Sequence, residues 1–129
     1  MTHVSRYKLP KRTEEKLIRN LNLVLSKISK HEDMTSFLGA FLTETEKLML
    51  AKRLAIAVLL EEGLPESRIA ESLHVTRITV AKMRYFLESR GQGYKIALQK
   101  ISSEKDLQMF KSLLLQIASY SVRAAGGRI

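Results

Sequence analysis

Cysteine and tryptophan are both absent from this chain of 129 residues, and proline occurs only twice. Without thiols there can be no disulfide framework, thiolate nucleophile or cysteine-ligated zinc. The three histidines, His3, His31 and His74, are far apart and lack metal-ligand spacing, so no metal site is expected. Six glycines and two prolines leave little punctuation, which favours long helices over a many-turned β-fold. Aromatic residues make up only 6% of the chain, so Leu, Ile, Val, Ala and Met must supply most of a core. An apolar fraction of 45% suffices for one at this length. The longest apolar run, LAIAVLL at 54–60, lies between Lys52-Arg53 and Glu61-Glu62 and is far too short to span a bilayer. The opening MTHVSRYKLPKR has no apolar stretch, so no secretory signal is expected, and a cytoplasmic location follows. Paired carboxylates over a cleft, a Ser/His/Asp set and a phosphate-cradling glycine loop are all missing, so the chain does not read as an enzyme.

What the chain has in excess is positive charge. Lys and Arg number 22 against 13 acidic residues, a net charge of +9 and a pI near 10.0. That balance suits a polyanionic partner, most often nucleic acid and less often an anionic membrane surface; the motif at 66–89 makes double-stranded DNA, and no membrane, the partner expected.

Residues 1–12 read as a flexible basic arm, with Arg6, Lys8, Lys11 and Arg12 and no acid before Glu14. From Thr13, a candidate cap, to Lys30, apolar residues at Leu17, Leu21, Val24, Leu25 and Ile28 recur at helical spacing. A short second helix is expected after Asp33, ending near Leu42. TETE at 43–46 has the form of a capping box, opening a helix to Glu62 with Gly63 as its left-handed terminator. Pro65 and Glu66 suit the first turn of a brief helix ending near Leu73. A further helix is expected from about Thr76 to Ser89, closed by RGQG as a hinge or cap. YKIALQKI and a longer stretch after Ser102 or Ser103 supply two more, and RAAGGRI reads as a frayed end.

IAESLHVTRITVAKMRYF, residues 69–86, is crowded with β-branched residues, yet its apolar positions fit two crossed helices rather than a strand. Ile69, Ala70 and Leu73 would face inward from the first helix, with Ala70 small because the second crosses close by. Val75 would plug the turn, and Val80 and Met83 would pack the second helix back. Thr76 can cap that helix. His74 stands where the turn usually has glycine at positive φ. The unit at 66–89 thus reads as a helix-turn-helix, whose second helix enters a major groove. Thr76, Arg77, Ile78, Thr79, Ala81 and Lys82 lie mostly outward near its N-terminal half. Arg77 can bridge guanine O6 and N7 or contact a phosphate, Lys82 suits a phosphate, and Ile78 and Ala81 can touch a thymine methyl. Ser67 and Arg68 on the first helix would reach the backbone, and Arg84 can pair with Glu88 at i, i+4.

The stretch FLTETEKLMLAKRLAIAVLLEEGLPESRIAESLHVTRITVAKMRYFL, with the trailing GYKIALQKI, resembles the tryptophan-repressor superfamily, closest to its YerC/YecD-type members. The likeness covers about residues 37–101. It implies a small all-α, multi-helix protein that dimerises by intertwining its N-terminal helices and long helices. The paired reading helices would sit one DNA turn apart over a palindromic operator, as expected for a transcriptional regulator, and a repressor in particular. In the family's namesake the co-repressor L-tryptophan lies beside the reading helix between two arginines. Thr43, Arg53 and Thr79 stand at ligand-contacting positions here, but Lys82 replaces the second arginine and Met83 the glycine after it. Met83 would fill the indole space, and a lysine lacks the planar fork that holds a carboxylate. The resemblance therefore implies DNA binding and disfavours tryptophan as a cofactor. On this reading residues 13–101 form the helical domain, and 102–129 add a C-terminal helix and frayed tail. The alternatives are a protein-interaction module with a vestigial helix-turn-helix, or a non-specific nucleic-acid-binding protein.

Overall fold

The computed structural model describes residues 8–102 and 104–126, with side chains as far as Ser119. Arg6 in the expected basic arm, Ser103, and residues 127–129 of the expected frayed end lie outside them. The described residues hold seven helices and no strand: α1 (Lys11–Lys27), α2 (His31–Phe41), α3 (Glu44–Glu61), α4 (Glu66–Leu73), α5 (Arg77–Arg90), α6 (Gln92–Lys100) and α7 (Lys105–Gly126). The all-α expectation holds.

The helices fall into two compact units, Met1–Glu44 and Thr45–Ile129. In the first, α1 starts two residues before Thr13. Pro10, at φ −54° and ψ 143°, offers its carbonyl to the Thr13 and Glu14 amides at 2.9 and 3.1 Å. The cap is thus Pro10, not Thr13, and Lys11 and Arg12 belong to the helix rather than to an arm. The helix also ends earlier than expected, because Ile28 is already extended (φ −87°, ψ 111°). The next helix begins at His31, ahead of Asp33, so Glu32 and Asp33 complement the dipole of its first turn. Its Phe37 and Phe41 rings stack at 5.0 Å. No residue of α1 or α2 is buried, and Leu17, Ile18, Leu21 and Val24 of α1 lie exposed.

In the second unit α3 begins at Glu44, directly after Thr43. Its second half, Ala55 to Leu59, is buried on every side. It ends through Gly63 at φ 89°, with the Leu64 amide bonded back to the Leu59 carbonyl at 3.2 Å. The core joins Ile56, Val58 and Leu59 of α3 to Ile69 and Ala70 of α4, Val80 of α5, Leu98 of α6, and Leu107 and Leu114 of α7. α7 packs chiefly on α4, and Lys111 Nζ meets Glu62 Oε1 at 3.0 Å. Beyond the expected boundary at 101/102, α7 completes the core of the unit with Leu107 and Leu114. It also stays helical through Gly126, into the stretch expected to fray.

Candidate nucleic-acid interface

The unit α4–turn–α5 is built by packing on one side and backbone chemistry at the joint. Ile69 and Val80 are wholly buried, Ala70 nearly so, and Leu73, Val75 and Met83 pack half-buried against them. These are the six residues the pattern turned inward. Buried with them is Ser72, which the apolar pattern did not single out. Its hydroxyl donates to the Arg68 carbonyl at 2.6 Å, so its polarity is satisfied within the helix.

At the joint His74 adopts φ 55° and ψ 50°, the left-handed conformation that its place in the turn demands. The Val75 amide then reaches back to the Ala70 carbonyl at 3.0 Å, the closure that Gly63 gives to α3. Two residues on, Thr76 caps α5. Its Oγ1 accepts from the Thr79 amide at 3.1 Å and lies 2.9 Å from Thr79 Oγ1. The cap explains how a start so rich in β-branched residues becomes a helix.

All eight residues expected to meet DNA are exposed: Ser67 and Arg68 on α4, Thr76 at the cap, and Arg77, Ile78, Thr79, Ala81 and Lys82 on α5. The helical period sorts the last five. Val80, Met83 and Leu87 mark the inner side, so the outermost ridge is Ile78, Ala81, Lys82 and Tyr85. Ile78 is 68% exposed and Tyr85 73%. Large side chains so bare, beside a lysine, form a surface suited to a groove with apolar and anionic features. Tyr85 was missed in the sequence; its position seven residues beyond Ile78 was the available signal. Arg77 lies on the flank towards α4. Arg84, on that flank too, does not pair with Glu88. Its Nε meets Glu66 Oε2 at 2.6 Å, tying α5 to α4.

On the other flank, Thr79, Lys82, Met83 and Phe86 of α5 line an open cavity of about 490 Å³ with Arg53 of α3 and Tyr94 of α6. The structure thus brings together three of the four effector candidates, Arg53, Thr79 and Lys82. Thr43 belongs to the first unit. Met83 forms part of the wall, as expected, while Phe86 and Tyr94 were not foreseen. The cavity sets two cations beside an apolar lining. Among the described residues there is no cluster of His, Asp and Glu able to hold a metal ion, and no helix long and apolar enough to cross a membrane.

No curated protein and no solved structure matches the chain. The family model of the Trp repressor protein does, over residues 16–102, two thirds of the length, spanning most of α1 and the whole of α2 to α6. The chain therefore belongs to the Trp repressor protein family, a family of DNA-binding transcription regulators.

Proposed function

We propose that the chain is a sequence-specific transcriptional repressor that acts as a homodimer on a palindromic operator, with α4 and α5 as its helix-turn-helix. The observation that carries this reading is the outer ridge of α5. Ile78, Ala81, Lys82 and Tyr85 stand bare while Val80 beneath them is wholly buried, so the helix is held firmly and presented outward. Arg77, Arg68 and Ser67 flank the ridge and suit base-edge and phosphate contacts. The dimer is supported by α1, whose apolar stripe has no buried residue in a single copy. A two-fold pair would set two reading helices about one DNA turn apart. The order and spacing of residues 37–101 support a YerC/YecD-type member within the family.

Tryptophan is not the co-repressor on this reading. Lys82 offers a point charge where a carboxylate needs a fork, and Met83 takes up wall space that an indole would need. Titration of operator DNA at rising salt tests both statements. Phosphate neutralisation by about six cations should cost roughly 10³-fold in affinity between 50 and 200 mM salt. Added L-tryptophan should leave the curve unchanged. An affinity nearly flat in salt favours a protein-interaction module instead, and a tenfold gain with tryptophan contradicts the assignment of Lys82 and Met83.

A further inference from the structure

Helix α7 lies beyond the residues matched to the family and has two apolar faces where the core needs one. Leu107, Phe110, Leu114 and Ala118 turn inward. Round the helix from them Met109, Leu113 and Ile117 follow one another at four-residue steps, with Met109 68%, Leu113 53% and Ile117 36% exposed. From Leu107 to Ser119 the only charged residue is Lys111, and Glu62 neutralises it on the inner side. In a chain where 27% of residues are charged, this row from Met109 to Ile117 is uncharged, with Lys105 one turn before it.

We propose that the outer face of α7 pairs with the same face of a second copy, antiparallel, about a two-fold axis at Leu113. Two features select a second copy. The chain carries +9, so two copies repel over most of their surfaces, and a face without charge is where they approach at least electrostatic cost. The spacing is also self-complementary. Met109 and Ile117 stand four residues, roughly 6 Å, to either side of Leu113. An antiparallel partner therefore sets Met109 against Ile117, Leu113 against Leu113, and Ile117 against Met109, as an isologous contact requires. One helix pair is small beside a standard interface of about 1,600 Å², so the association is concentration-dependent. With the homodimer proposed above it yields a tetramer able to hold two operators; without that homodimer it yields a dimer.

The cysteine-free sequence permits a direct test on the full chain. Leu113→Cys places a single thiol on the axis, and Gln108→Cys, roughly 140° round the helix, serves as the control. On mild oxidation Leu113→Cys should cross-link rapidly and Gln108→Cys should not, since a disulfide needs its Cβ atoms about 4 Å apart. In sedimentation at high concentration, Leu113→Glu should have half the mass of the wild type and an unchanged melting temperature. This holds whether that half is a dimer or a monomer, so a failure of the N-terminal homodimer stays distinguishable. Cross-linking no faster than in the control, or equal masses for Leu113→Glu and wild type, would overturn the proposal. A face covered by the N-terminal helices or by another protein gives both of those results.

Discussion

His74 shows how a single residue sets the geometry of the joint between α4 and α5. An L-residue at φ 55° costs about 1–2 kcal/mol relative to ordinary backbone, and the histidine is exposed, so no packing offsets it. The return is structural: with His74 left-handed, the Val75 amide bonds to Ala70 and Thr76 arrives in register to cap α5. His74→Gly should therefore change stability by no more than about 1 kcal/mol, relief of strain offsetting the added chain entropy. His74→Val, β-branched where positive φ is needed, should lower it by a further 1–2 kcal/mol, roughly. Urea denaturation of the two variants checks this, and a valine variant as stable as the wild type would contradict it. The conformation was legible in advance because a turn of fixed length leaves few backbone solutions. The partner of Arg84 was not. Sequence spacing offers Glu88, but the crossing of α4 and α5 brings Glu66 closer, and only the tertiary arrangement decides between them.

Among the elements, α7 departs most from what the sequence suggested. Its apolar spacing announces a helix but not what that helix covers. Inner and outer stripes look alike on paper, and only the position of α4 distinguishes them. Placed in the structure, Leu114 is part of the core, and Leu114→Ala should cost about 2–5 kcal/mol. Thermal melting checks this; an unchanged midpoint would make α7 a dispensable appendage. The joint between α5 and α6 is of another kind. Gly91 is buried, and a Cβ there would strike the Leu87 carbonyl oxygen and carbon, so the RGQG stretch acts as a tight cap shared by two helices. The helices from Thr43 to Leu98 were largely readable because capping residues and apolar spacing agree along that stretch. The start of α1 was not, since Pro10 and Thr13 are both credible caps and the pattern cannot rank them.

At the scale of the whole molecule, charge and apolar surface divide the work. A chain of net +9 is drawn to a polyanion. In the proposed function the bare ridge of α5 would supply the discriminating contacts, and the exposed stripe of α1 a surface for a symmetric partner. Of the candidate site, the exposure of the eight residues on α4, the cap and α5 was legible because an inward set, once fixed, leaves the outward set by subtraction. Tyr85, Phe86 and Tyr94 were not, because their roles depend on the flanks of a helix and on α6 beside it. The central claim is that the outer side of α5 reads duplex DNA by sequence. Selection of bound DNA from a random pool, for wild type and Arg77→Ala, tests it most directly. The wild type should return a two-fold symmetric consensus with half-sites about one helical turn apart. Arg77→Ala should relax one position in each half-site by about 1–3 kcal/mol and leave the others intact. A pool without a consensus, or a loss of affinity spread evenly over all sequences, would contradict the account.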